Sequence, residues 1–196
     1  MRLRLLLTIC LLFSWTGSPA QQPSPGAFGV KMGQTVSSLR VIKKIDEMDY
    51  EIQVPIPNPE FESYVARISP SSGVCRVSGL GKTHTNDRYG FETRSAFARL
   101  KASLGARYGS SKNYDFLNAG SIWNDPQDWH MALQKEERTL ASFWSKEHES
   151  ALPATISGIM LDTRAVSSGP YLALAYEFTN MTDCSARKQA QEEAGL

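Results

Sequence analysis

Six runs of alternating or β-branched residues, several joined by turn-forming residues, restrict this chain to a fold built on antiparallel strands. In YEIQV, Tyr50, Ile52 and Val54 alternate with Glu51 and Gln53, the period of a half-buried strand. FESYVARI and GVCRVSGLG follow, and the turn SPSSG between them predicts a hairpin. RTLASFW, ISGIMLDTRAV and YLALAYEF predict three further strands, with SSGP turning between the last two. The segment PIPNP ends the first run, because its three prolines have no place in a sheet interior.

Helical patterns separate these runs. FGVKMGQTVSSLRVIKKI predicts a short strand, a glycine turn and a helix, with Thr35 as N-cap and Val36, Leu39 and Ile42 at helical spacing. ETRSAFARLKASLGARYG is the clearest helix. Phe97, Leu100, Leu104 and Tyr108 form one stripe and Gly109 follows as C-cap. A further helix opens at Pro126, and the polar tail from Met181 predicts a final helix carrying Cys184. Each half therefore reads as a helix-containing segment followed by about three mostly antiparallel strands. The pairs Phe28-Gly29 and Tyr89-Gly90 place their glycines ten residues before Leu39 and Leu100, which suggests a duplicated αβββ unit. The predicted class is α+β, a mostly antiparallel sheet with helices on one face. Residues 27–196 read as a single domain with candidate halves 27–83 and 89–180.

The first twenty residues have the pattern of an export signal. Arg2 and Arg4 precede an apolar run from Leu5 to Phe13, and Ser18-Pro19-Ala20 places small residues for cleavage near Ala20. The run is too short to span a bilayer, which takes about 20 apolar residues. Cys10 follows Ile9 inside the run, the wrong context for a lipid-attachment cysteine. Residues 21–26 are a Pro- and Gln-rich flexible lead-in. The expected location is periplasmic or secreted, with no membrane anchor. Removal of the signal also removes Cys10 and leaves Cys75 and Cys184. In an exported chain such a pair favours a disulfide over two separate buried thiols. Closing a loop of about 110 residues contributes roughly 4–5 kcal/mol in the loop-entropy model.

The chain carries 21 basic and 20 acidic residues, and loss of Arg2 and Arg4 shifts its net charge from +1 to −1. This near-neutral balance has no footprint for nucleic acid. SGLGKTHT resembles the end of a phosphate-binding loop, but Arg76 stands where that loop needs its first glycine, so it reads as a glycine-rich strand end. His148-Glu149 lacks the second histidine of a zinc-protease motif, because Leu152 occupies that position. Gly109-Ser110-Ser111 lacks the closing glycine of a nucleophile elbow, having Asn113 instead. The spacing of His84, His130 and His148 supports no metal site, and no cofactor is implied.

GSIWNDPQDWH holds the candidate binding residues Trp123, Asp128 and His130. Asp125-Pro126 is a strong helix start, Asp128 suits the positive end of the helix dipole, and Trp129 and Leu133 lie one turn apart. Helix initiation and packing thus account for the stretch apart from Trp123 and His130. A ligand cleft lined by Trp123, Asp128 and His130 is the competing reading, because tryptophan suits stacking on a sugar or an aromatic group.

FGVKMGQTVSSL, FESYVARISPSSGVCRVSGLGKT, GSIWNDPQDWHMAL and YLALAYEFTN together resemble a family of small exported proteins of Gram-negative bacteria without an assigned function. FGVKMGQT alone is similar to the opening of small lipoproteins of outer-membrane barrel assembly and of β-lactamase-inhibitor-like domains. The resemblance implies binding rather than catalysis. The expectation is an exported binding or interaction module with an unknown protein or small-molecule partner. The alternative is a periplasmic hydrolase or carbohydrate-binding protein acting through Trp123–His130.

Overall fold

A computed structural model describes residues 27–186; the segments predicted as export signal and flexible lead-in, and the end of the tail, lie outside the described residues. The fold is one eight-stranded antiparallel sheet. Its strands are β1 (Arg40–Lys44), β2 (Asp49–Gln53), β3 (Phe61–Ser69), β4 (Gly73–Gly81), β5 (Lys112–Leu117), β6 (Arg138–Ser145), β7 (Ile156–Val166) and β8 (Gly169–Phe178). They lie in the order β1-β2-β3-β4-β8-β7-β6-β5. Each half of the chain is thus a four-stranded meander, and the last strand of each, β4 and β8, pair at the centre. Helices α1 (Phe91–Tyr108) and α2 (Trp129–Gln134) separate the strands of the second half. The α+β class is as predicted.

The repeat is four strands per half rather than three, and the first half has no α-helix among the described residues. Thr35 does not cap a helix. Its hydroxyl meets Ser37 Oγ at 3.0 Å, and Val36–Ser38 forms one 3₁₀ turn before the chain enters β1. The Val36, Leu39, Ile42 spacing is overridden by pairing. Gly33 N–H donates to Val74 O and Val74 N–H to Gln34 O, both at 2.9 Å, and Val41 pairs with Ile52. Leu39 packs on the core while Ile42 is exposed, so no apolar helical face exists to bury. Ala27–Gly29 is likewise a 3₁₀ turn, not a strand. In the second half KNYDFL forms β5, a strand absent from the sequence reading.

The core fills the space between the helices and one face of the sheet. Phe97, Leu100, Leu104 and Tyr108 of α1 are buried as the stripe predicts, and Gly109 ends the helix with φ 76°. Opposite them lie Val77, Leu161, Leu174 and Trp144. Phe28 sits among Phe61, Tyr64 and Tyr176 at centroid distances of 5.5, 4.8 and 5.4 Å, in edge-to-face geometry. Gly79 makes room for this cluster, since a Cβ there would come within 3.0 Å of both Phe28 and Phe61. Trp144 satisfies its buried indole by donating to Gly109 O at 3.1 Å.

Cys75 and Cys184 are joined as a disulfide, with Cα atoms 6.5 Å apart. Cys75 occupies the bulge at the register shift of the β3–β4 hairpin, and residues 181–186 form a helical turn that brings Cys184 to it. Asn180 Nδ2 donates to Ser72 O and Val74 O at 2.9 and 3.1 Å, which fixes the same junction. Met48 and Met181 close a small second core over the bridge. No helix among the described residues is long and apolar enough to cross a membrane.

Candidate functional site

The GSIWNDPQDWH stretch folds as a single 3₁₀ turn, Pro126–Asp128, running into α2. Pro126 opens the turn as expected, but neither Asp125 nor Asp128 caps a backbone N–H with its side chain. Asp128 lies 4.0 Å from the Arg88 guanidinium, and Arg88 Nε donates to Gln127 O at 3.0 Å. The His130 ring is held against the β7–β8 turn, with Nε2 2.9 Å from Val166 O. Trp129 is buried, and its six-membered ring lies over Gly90, where a Cβ would meet ring carbons at 2.2 Å. Trp123 lines a cleft of about 280 Å³ with Tyr89, Phe91, Arg94, Asp125 and Arg138, which includes neither Asp128 nor His130. Among the described residues, none of the clefts described brings the three candidates together. The Trp123 cleft presents one carboxylate, Asp125, and no imidazole. Among the described residues no group of three histidine, cysteine, aspartate or glutamate side chains is placed to hold a metal.

The other face of the sheet is where charge and aromatic surface collect. Alternation along each strand sends every second residue away from the helices, and the pairing registers align these residues in rows. One row runs Asp49, Arg67, Arg76, Glu177, Gly158, Ser145 across β2, β3, β4, β8, β7 and β6. The next runs Glu51, Val65, Ser78, Ala175, Met160, Phe143, Lys112, and reaches β5. A third runs Ser63, Leu80, Ala173, Asp162, Ala141, Tyr114. In the middle, on β4 and β8, the small residues Ser78, Ala175 and Ala173 lie between the longer Arg76 and Glu177 at one end and Leu80 at the other, and both alanines are buried.

The flanks differ in chemistry. On β2 and β3, Asp49 accepts two bonds from Arg67, Nε at 2.8 Å and Nη2 at 2.6 Å, a bidentate pair that raises the Arg67 pKa further. Arg76, beside it on β4, has no hydrogen bond or ion pair among the described residues. Burial, with Arg67 alongside, lowers its pKa. On β7, Arg164 Nε donates to Asp162 Oδ2 at 2.9 Å while Asp162 Oδ1 is buried without a hydrogen-bond partner. Burial raises the Asp162 pKa despite Arg164.

On β5 and β6 the surface turns aromatic. Tyr114 and Phe143 meet edge-to-face at 5.6 Å, Phe116 is 47% exposed, and Lys112 Nζ stands 5.3 Å from the Tyr114 ring centroid. Between these rings and β8 lies a hollow of about 580 Å³ bordered also by Met160, Gly158, Glu147, His148 and Glu177. None of this was read from the sequence. The signal was present only in part, as the alternation of Tyr114 and Phe116 with Asn113 and Asp115.

Comparison of the chain with protein-family models, with curated proteins and with solved structures found no match.

Proposed function

We propose that this is an exported binding module, acting in the periplasm, that engages a folded protein partner through the face of the sheet turned away from α1 and α2. The carrying observation is the layout of that face: a shallow middle in which Ser78 is part-exposed and Ala173 and Ala175 are buried, with the Asp49–Arg67 ion pair on one flank and the rings of Tyr114, Phe143 and the exposed Phe116 on the other. Eight strands at about 4.8 Å spacing span roughly 34 Å, and strands averaging about eight residues run roughly 26 Å. The resulting area, of order 900 Å², matches the roughly 800 Å² each partner contributes to a standard interface. Such a surface is too broad and shallow for a small molecule as a whole. The Cys75–Cys184 disulfide supports export, because such bonds persist in oxidising compartments. The resemblance to small exported proteins points the same way.

The Trp123 cleft carries a second reading, carbohydrate binding. Tyr89 and Phe91 stack in parallel at 5.5 Å beside Trp123, and both rings are exposed. Parallel rings of this kind suit the face of a sugar.

Cross-linking in intact cells followed by purification tests the first reading. A stoichiometric protein partner should be retained by Trp123→Ala and lost by Ala175→Arg, whose long side chain must leave the buried alanine site for the sheet face, with circular dichroism and thermal unfolding verifying that the variant is folded. Retention in Ala175→Arg with loss in Trp123→Ala would overturn the sheet-face reading in favour of the cleft.

A further inference from the structure

The hollow over β5–β8 differs from the rest of the sheet face in both shape and charge. Its walls are the rings of Tyr114, Phe116 and Phe143 and the thioether of Met160. Its floor is Gly158 on β7. A Cβ added there would meet only Trp144 O at 3.8 Å and Glu177 Oε2 at 3.9 Å. The missing side chain thus leaves open the space next to the Glu177 carboxylate. The strand makes no conformational demand for glycine at this position, since Gly158 is not among the residues with positive φ. Its role is to leave room.

Two carboxylates border the hollow, Glu147 and Glu177, and neither forms an ion pair among the described residues. Arg76 lies opposite Glu177 in the β4–β8 register, and it and Arg67 act on the carboxylate electrostatically, but neither comes within 4.0 Å to form a contact ion pair with its oxygens. His148 also borders the hollow, while Lys112, which stands over the Tyr114 ring and feels the Glu147 charge, is not part of its lining. Aromatic faces carry negative quadrupole density, and carboxylates add full charge. Both favour one kind of guest, a cation on a long apolar stem.

Resting on the sheet-face reading, we propose that this hollow is the specificity pocket of the interface and receives a lysine or arginine side chain of the protein partner. The stem lies along Phe143 and Met160, and the charged head reaches Glu177 over the Gly158 floor with Glu147 beside it. The volume, about 580 Å³, holds such a side chain with part of its flanking backbone. The partner's surface around this residue is then flat and tolerant of the Arg67–Asp49 pair.

A phage-displayed library of random heptapeptides, panned on the oxidised protein, tests this. Selected peptides should share a Lys or Arg at one fixed position. Their affinity should fall at least tenfold when that residue becomes norleucine. It should fall by a similar factor in Glu177→Gln, which removes charge without changing shape, and in Gly158→Val, which fills the floor. Circular dichroism and thermal unfolding verify that both variants are folded, and Glu62→Gln on the exposed part of β3 is the control that keeps binding. Peptides displaced by Ala175→Arg but lacking a fixed basic position would overturn the pocket and leave the sheet-face reading standing. Failure to select any peptide sensitive to Ala175→Arg would count against both.

Discussion

Replacing Asp87 tests how α1, the principal helix, is started. Gly90, immediately before Phe91, has φ 74° and no side chain, so it offers no cap of its own. Asp87 supplies one from three residues upstream, accepting the Glu92 N–H on Oδ1 at 3.1 Å and the Thr93 N–H on Oδ2 at 2.8 Å. These are two of the four N–H groups that a helix start leaves unpaired. The carboxylate is 6% exposed, so water cannot replace it at both donors. A cap typically contributes about 1 kcal/mol, and the charge at the positive end of the helix about another 0.3–1 kcal/mol. With two bonds lost, Asp87→Ala should cost about 2–3 kcal/mol at pH 7. Asp87→Asn keeps one acceptor oxygen without the charge and should cost about half as much.

The pH dependence follows from the same geometry. Burial alone pushes the Asp87 carboxyl up, but the N–H groups of Thr93 and Glu92 outweigh it and hold the pKa below the ordinary aspartate value. A folded-state pKa below the unfolded value of about 3.9 contributes stability that is complete above that pH. It is lost as pH falls through the folded value. Urea unfolding at pH 7 and near pH 3 should therefore show the gap between wild type and Asp87→Asn shrinking at the lower pH. An Asp87→Ala cost below about 0.5 kcal/mol at pH 7 would refute the capping argument, as would a gap independent of pH.

Reduction of the Cys75–Cys184 bond, which closes a 109-residue separation, should lower stability by up to about 4–5 kcal/mol, read from urea curves with and without reductant. Intact-mass analysis after alkylation should find both thiols blocked until reductant is added; two alkylated thiols without it would sink the bridge. Trp129→Ala should cost about 3–5 kcal/mol, because the ring is 5% exposed and packs over Gly90. A loss under about 1 kcal/mol would place that ring at the surface. Gly90→Ala should itself destabilise by thermal unfolding, since its Cβ would overlap the Trp129 ring at a positive φ.

What the sequence discloses is what short-range pattern can carry. Strands β3, β4, β6, β7 and β8 and helix α1 each announce themselves by period and by bounding turns, and all are found where that pattern puts them. The failures share one cause. At Val36–Lys44 a helical spacing and a pair of β-branched residues, Val41 and Ile42, compete locally, and contacts from β2 and β4 decide between them. In KNYDFL the apolar residues Tyr114 and Phe116 face away from the core, so the strand lacks the buried alternation that marks the others. The sheet-face rows depend on the β4–β8 pairing, which joins Arg76 to Glu177 and appears in no stretch of neighbouring residues. Trp123 was legible as a cleft residue, but the placing of Asp128 and His130 outside that cleft was set by Arg88 and the β7–β8 turn.

The central position of β4 and β8 also dictates an order of events during biogenesis. β4 ends at Gly81 and β8 begins at Gly169, so the first meander emerges well before the strand that will complete it. Until then the row of N–H and C=O groups on β4 is an open hydrogen-bonding edge in the middle of the future sheet. Its outer counterparts β1 and β5 are guarded by Arg40, Lys43, Lys44 and Lys112, whereas the β4 sequence GVCRVSGLG carries one charge. A nascent chain in this condition is prone to pair with a second copy through β4, giving exchanged dimers in which each β8 completes the other's sheet. Cys75 lies on that same strand and Cys184 just beyond β8, so in an exchanged dimer the bond between them would run from one copy to the other.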